Sequence, residues 1–263
     1  MYADGLGLPL SVAHLRPPYT GLEPLPGIRA LRALKPTPAS LLAVQVADPS
    51  AAWPSLREWV PRLRASFPAV PVVLRFAGTP AAESVHLAFF AAHLRVRAVL
   101  VEDEPVAETL RCRLTRPAAL GTDVEEWLEL RGLRVNAEMS RLVRRIVDRA
   151  PRFTEVTGLL RSLGESDSTV RAWFHARALP PPGQWLAAAR ALHAALRLQA
   201  EPRTSMLTVA VEAGYSDHST LSRQVQNLFG VRPGRIRGTL GWEWLLERWL
   251  ARGNCEMAPS PPL

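Results

Sequence analysis

The sequence predicts an α/β N-terminal domain with a small parallel sheet, followed by an all-α tandem helix-turn-helix domain. Three observations carry this expectation. Between residues 41 and 101, short apolar runs bounded by turn residues alternate with helical patterns. From residue 119 onward only helical spacing recurs. Glycines at 164 and 214 each stand between a short helix and a second helix that opens with capping residues.

Residues 1–40, rich in Pro and Gly, read as an extended arm with one short helix near Ile28–Leu34. Leu41–Ala47 (LLAVQVA) is a buried strand, and Ala51–Ser66 a helix with Trp53, Leu56, Val60 and Leu63 at helical spacing. Pro54 fits that helix's first turn, whereas Pro61 should kink or split it. Val70–Ala77 is a second strand, Ala81–Leu94 a second helix opened by Thr79-Pro80, and Val96–Val101 a third strand. A short fourth strand near Leu110–Leu114 completes the sheet, with right-handed crossovers.

Ligands of such sheets sit beyond the carboxyl ends of the strands, where Asp48, Gly78 and Glu102-Asp103-Glu104 stand. The arrangement faintly resembles a phosphoacceptor receiver domain of bacterial response regulators, which implies Mg²⁺-dependent phosphorylation at Asp48 or in the 102–104 cluster. A receiver wants paired acids after its first strand; here one acid is followed by proline, and no aspartate is matched with a lysine partner. Residues 41–118 are therefore read as a sheet domain for dimerisation or signal input, with 102–104 as solvated loop charge.

The chain has 263 residues, 48% of them apolar and 21% charged, enough for two packed domains. Its formal net charge is +8, and Lys35 is its one lysine. The charge is evenly spread: residues 1–118 carry 13 basic and 9 acidic groups, and residues 119–253 carry 19 and 14. A basic balance favours an anionic partner without locating a binding face. Cys112 and Cys255 are too far apart to staple a scaffold and read as free thiols. No charge-free run exceeds 12 residues, against about 20 for a membrane span, and no secretory signal opens the chain. The expectation is a cytoplasmic protein without membrane contact.

Residues 119–150 read as a helical connector. Asp123–Leu130 opens with capping chemistry, and Asn136 caps a second helix, Ala137–Arg149. Met139, Leu142, Val143, Ile146 and Val147 mark the apolar side of that helix; Arg141, Arg144, Arg145 and Arg149 lie opposite, either solvated or facing DNA.

The C-terminal half is the informative one. Thr204–Ala213 is a short helix with Leu207, Ala210 and Val211 inward, and Gly214 ends it. Asp217 or Ser216 caps the next helix, whose Leu221, Val225, Leu228 and Phe229 form a core face. Ser219, Thr220, Arg223, Gln226 and Asn227 point away, and no carboxylate occurs from Ser219 to Arg237. Such a surface suits a major groove, where Arg reads guanine and Gln or Asn reads adenine. Arg232, Arg235 and Arg237 follow and reach for phosphates.

These residues carry a resemblance. The stretch AGYSDHSTLSRQVQNLFGVRPGRIR resembles the signature of the AraC/XylS family of bacterial transcription regulators. The matching elements are Ala213-Gly214-Tyr215-Ser216-Asp217, Ser219, Leu221-Ser222-Arg223, Val225, Phe229-Gly230-Val231, Pro233 and Arg237. The family usually has a basic residue where Gln226 stands and aromatics where Val225 and Ile236 stand. The resemblance implies two helix-turn-helix units joined by a long helix, and a position near DNA for His218. Upstream, Phe153–Leu163, ended by Gly164, and Ser168–Ala178, capped by Asp167, form a divergent first unit. Ser168, Thr169 and Arg171 are its candidate DNA contacts, and Ala172 stands where the family commonly has arginine. After Pro180-Pro181-Pro182-Gly183, Gln184–Gln199 is the linking helix, with Trp185, Ala189, Leu192 and Leu196 inward. Arg190 matches an arginine of the family's linking helix and is expected to brace the two units. Gly241–Leu250 is a final helix whose Trp242, Leu245, Leu246 and Trp249 pack on the second unit or form a dimer or partner surface, and 253–263 is a loose tail.

No catalytic motif stands out: HExxH, CxxC and GxSxG are absent, and His14, His86, His93, His175, His193 and His218 form no nucleophile–base set. His86 and His93 are seven residues apart on one predicted helix, a spacing that a surface or core pair explains. No enzyme, cofactor or metal is implied. The sequence reads as a sequence-specific regulator binding double-stranded DNA through residues 151–252, with a homodimer through the N-terminal domain and RNA polymerase or another protein as further partners. The alternative is a protein-interaction or scaffold module built on a degenerate DNA-binding fold.

Overall fold

The apolar runs of the N-terminal half form one five-stranded sheet. The computed structural model describes residues 10–77, 84–102, 104–133 and 136–253, and the chain divides after Leu114. The N-terminal elements are β1 (Ser11–Leu15), β2 (Glu23–Leu25), α1 (Ile28–Arg32), β3 (Leu41–Val46), α2 (Pro49–Ser66), β4 (Val72–Phe76), α3 (Ser84–Leu94), β5 (Ala98–Val101) and α4 (Val106–Leu114). Strand order is β2-β1-β3-β4-β5. The expected parallel set is β3, β4 and β5, with Val44 opposite Leu74 and Leu74 opposite Val99. Leu42, Val44, Val46, Val72, Leu74 and Phe76 meet Leu56, Val60 and Leu63 of α2 in one core.

Three expectations are corrected. Residues 1–40 are not simply an arm: β1 lies inside the sheet, antiparallel to both β2 and β3, so the sheet is mixed. Val12, Ala13 and Leu15 are buried, and so is His14 between them, the polar residue that masks this short run. Burial, then the Arg16 charge, lowers the affinity of His14 for a proton. Leu110–Leu114 is no strand but the end of α4, whose Leu110 and Leu114 are buried one turn apart. Finally, Pro61 does not split α2. Pro54 and Pro61 both lie on its exposed side, about two turns apart, while Leu56, Val60 and Leu63 pin the opposite side to the sheet.

Asp48, the acid beyond β3, accepts the Ala51 amide at 3.1 Å and so initiates α2. Gly78, Thr79-Pro80, Asp103, the side chain of His86, Cys255 and the 254–263 tail lie outside the described residues.

The C-terminal domain is all helix: α5 (Leu120–Leu130), α6 (Ala137–Arg149), a single 3-10 turn (Ala150–Arg152), α7 (Val156–Leu163), α8 (Asp167–His175), α9 (Pro182–Ala200), α10 (Met206–Glu212), α11 (His218–Phe229), α12 (Pro233–Arg237) and α13 (Glu243–Arg252). The segment expected as a connector packs within this domain, with α6 against α9. Helix α5 starts a turn earlier than expected, leaving Asp123 in its first turn rather than at its cap. Asn136 caps α6 as expected, accepting the Met139 amide at 2.9 Å.

Helix α9 is the spine. It begins at Pro182, where proline is preorganised for the first helical turn. Trp185, Leu186, Ala188, Ala189, Ala191, Leu192, Ala194, Ala195, Leu196 and Leu198 are all buried, far more than the one expected stripe. Its alanines let α6, α10, α11 and α12 approach on different sides. Trp185 packs edge-on against Trp249 of α13, ring centroids 4.7 Å apart, and Trp242, Leu245 and Leu246 are buried as expected.

Gly121 marks the tightest approach in this domain. A Cβ there would lie 2.5 Å from the Arg144 carbonyl oxygen and 2.5 Å from Asp148 Oδ1, which itself accepts the Gly121 amide at 2.8 Å. Gly121→Ala therefore forces α5 and α6 apart. Urea denaturation should show a loss of about 1–3 kcal/mol, the range for overpacking; unchanged stability would mean that the two helices slide freely.

Candidate nucleic-acid interface

The two helix-turn-helix units share one plan, with a turn that, counted from its glycine, is one residue longer in the second. A short helix ends on a glycine in the left-handed region, Gly164 (φ 75°) or Gly214 (φ 73°), a conformation that side chains with a Cβ rarely adopt. A second helix follows, capped by the Asp217 side chain in the second unit; in the first, Ser166 takes the N-cap position without a side-chain cap bond, and Asp167, expected as the cap, is the first helical residue. Two apolar residues four apart then anchor it: Val170 and Phe174 in α8, Leu221 and Val225 in α11, all fully buried. Phe229 extends the anchor of α11, and Leu228 is half-buried beside it.

Arginines from neighbouring helices close the carbonyl ends. Arg190 of α9 donates to the Ala213 carbonyl at 2.9 Å and the Gly214 carbonyl at 2.7 Å, and lies 4.6 Å over the Tyr215 ring. A Cβ on Gly214 would meet the same guanidinium at 3.1 Å and Thr154 of the first unit at 3.6 Å. In the first unit Arg145 donates to the Leu163 carbonyl and Arg149 to the Ser162 carbonyl, both from α6. Arg144 pairs with Glu125 at 3.4 Å. Arg144, Arg145 and Arg149 are thus structural braces, whereas Arg141 is exposed. At the end of α11, Arg248 of α13 donates to the Phe229 carbonyl at 2.7 Å. Cations at these helix ends also oppose the macrodipole.

The start of α11 is a dense cap. Asp217 accepts the Thr220 amide at 2.8 Å, the Thr220 hydroxyl at 2.8 Å and the Ser216 hydroxyl at 2.8 Å. The Thr220 amide, then the two hydroxyls, hold its carboxyl well below the usual carboxylate range. Thr220 is consequently half-buried and committed to the cap rather than displayed.

The remaining sequence-predicted residues of this unit separate clearly. His218, Ser219, Arg223, Gln226 and Asn227 are exposed along α11, and Arg232 and Arg235 are exposed just beyond it. Arg223, Arg232 and Arg235 make no ion pair among the described residues. Arg237 instead donates to the Pro202 carbonyl and is half-buried. In the first unit Ser168, Thr169 and Arg171 are exposed. Ser168 shares a hydrogen bond with Ser166 at 3.0 Å, and Arg171 pairs with Asp167 one turn back at 2.9 Å.

Helix α10 departs from its expected phase. Ser205 caps it, Val209, Ala210 and Ala213 point inward, and Leu207 and Val211 are 53% and 60% exposed. Ala210 and Ala213 are small enough for close approach to α9 and α11, so the branched pair turns outward. Sequence periodicity alone does not fix the phase of a seven-residue helix. Arg248 was likewise invisible, because its carbonyl partner lies 19 residues away in the chain.

Residues 159–239 match the family model described as a helix-turn-helix domain. The C-terminal part is thus a helix-turn-helix domain typical of transcription regulators, a non-catalytic architecture associated with DNA binding. The match spans less than half of the chain and leaves the N-terminal domain unassigned. Comparison with curated proteins gives no match. No described helix is long and apolar enough to cross a membrane.

The Asp217 cap generates a pH prediction. Its carboxylate is depressed in the native state, so its stabilisation is complete above the ordinary carboxylate range and is lost as pH falls through the lower native value. Asp217→Asn keeps an N-cap acceptor but has no charge to titrate. The difference in urea midpoint between wild type and Asp217→Asn should be constant from about pH 7 to 5 and shrink below about pH 4. A difference unchanged in acid would show that the charge adds nothing to the cap.

Proposed function

We propose that this protein is a sequence-specific transcription regulator that binds double-stranded DNA with α11 in a major groove. The observation that supports this reading best is the outer face of α11. It combines exposed His218, Ser219, Arg223, Gln226 and Asn227 with no carboxylate, while Leu221, Val225 and Phe229 clamp the opposite side to the domain. Arg223 is the guanine reader, able to offer a bidentate fork; Gln226 and Asn227 are suited to adenine. Arg232 and Arg235 meet phosphates beside the groove and set the register. The first unit lies along the same duplex about one helical turn, ~34 Å, away.

In this reading the chain is a relative of the AraC/XylS regulators and works in the cytoplasm. Its N-terminal sheet domain serves dimerisation or signal input, which would give two footprints and raise effective affinity. RNA polymerase or another protein is its downstream partner. The second reading, an interaction module on a degenerate DNA-binding fold, draws on the exposed Leu207–Val211 pair. Salt dependence separates the two, since phosphate contacts impose a steep negative slope of log affinity on log salt.

Arg223→Ala is the direct test. On a duplex selected from a random pool it should weaken binding by about 1–3 kcal/mol and relax preference at one base pair, leaving binding to a scrambled duplex almost unchanged. Equal loss on both duplexes would make Arg223 a phosphate contact. Flat, weak binding of the wild-type chain to every duplex would remove the DNA reading itself.

A further inference from the structure

Aligned on their N-cap positions and buried anchors, the second helices of the two units correspond position by position, although the turn before them, counted from its glycine, is one residue longer in the second unit. Ser166 matches Asp217, Val170 matches Leu221, and Phe174 matches Val225. The outer faces then line up without further choice. Where α11 presents His218, Arg223, Gln226 and Asn227, α8 presents Asp167, Ala172, His175 and Ala176. The second unit's single acid at its cap is saturated by three hydrogen bonds. In the first unit the acid stands one position later, inside the helix, and holds Arg171 at 2.9 Å. Ser168, Thr169 and His175 are the remaining exposed polar groups of this helix, two short hydroxyls and one imidazole.

From this internal comparison we infer a division of labour: the second unit, which presents an arginine and two amides outward, reads bases, and the first unit, whose one recognition-helix arginine stands beside Asp167, docks on phosphates. The inference rests on the DNA-binding reading above and adds which unit carries specificity. An alanine at 172 and another at 176 offer no hydrogen bond to a base edge. An exposed i,i+4 ion pair is weak in water, so Arg171 is free to leave Asp167. The carboxylate nevertheless stays beside the phosphates and repels them. Asp167 therefore lowers affinity for any duplex, whatever its sequence.

Two measurements on the full chain test this. First, each base pair of a duplex selected from a random pool is substituted in turn. Loss of affinity should fall in one contiguous block per bound protomer, with positions about one helical turn away from each block indifferent. Second, Asp167→Asn is titrated against the selected duplex and a scrambled duplex of equal length. It should tighten both by the same factor, about two- to threefold, and steepen the salt slope by about one. A second block of base dependence one turn away, altered by Asp167→Asn, would overturn the inference, because the first unit would then be reading sequence. Unchanged affinity and slope for Asp167→Asn would overturn it too, since the carboxylate would not be what restrains the first unit. Absence of salt-dependent binding by the wild type counts against the DNA reading, and is distinguishable from either result.

Discussion

The guanidinium of Arg190 on the carbonyls of Ala213 and Gly214 is the contact around which the C-terminal domain is organised. A helix-turn-helix unit ends its first helix abruptly, leaving carbonyls without intrahelical partners. Arg190 meets this need from the middle of α9, and the same side chain stacks on Tyr215. Arg145 and Arg149 do the equivalent for the first unit, and Arg248 for the end of α11. An arginine-rich composition is thereby partly internal. Its fork of donors suits carbonyl clusters better than a lysine point charge, and the chain has a single lysine.

This use of arginine explains why net charge is a poor guide to the interface. The C-terminal half carries many basic groups, yet several are committed to carbonyls or carboxylates. What distinguishes α11 is not an excess of charge but the absence of opposing charge on its outer side, together with an arginine that has no partner among the described residues. The same test applied to α8 gives the opposite result, because Asp167 and Arg171 face each other. Two units with the same pattern of buried anchors thus present different chemistry.

Much of this was legible in the sequence. Leu221, Val225 and Phe229 at helical spacing, the Asp217 cap and the two turn glycines sufficed to place the second unit, because each is a local signal. The parallel strands were legible for the same reason: β3 and β4 are apolar runs interrupted only by Gln45 and Arg75. Local signals failed where a long-range partner decides the outcome. β1 is a strand because β3 pairs with it, although Pro-rich flanks and His14 obscure its pattern. Leu110 and Leu114 fit a strand or a helix equally in a short window, and the turn-spaced burial chose helix. The exposure of Leu207 and Val211 follows from which small residues α9 accepts. Thr220 and Arg237 look like surface residues in the sequence, and only their partners Asp217 and Pro202 reveal them as structural.

The central claim is that α11 enters a major groove with Arg223 toward a base. Methylation of guanine N7 places a methyl group on that edge alone. On a duplex selected from a random pool, premethylation at guanines within one block should block binding of the wild-type chain, and Arg223→Ala should be indifferent to the methyl group at one of them. Binding that tolerates N7 methylation at every guanine would place the helix outside the major groove and contradict the account.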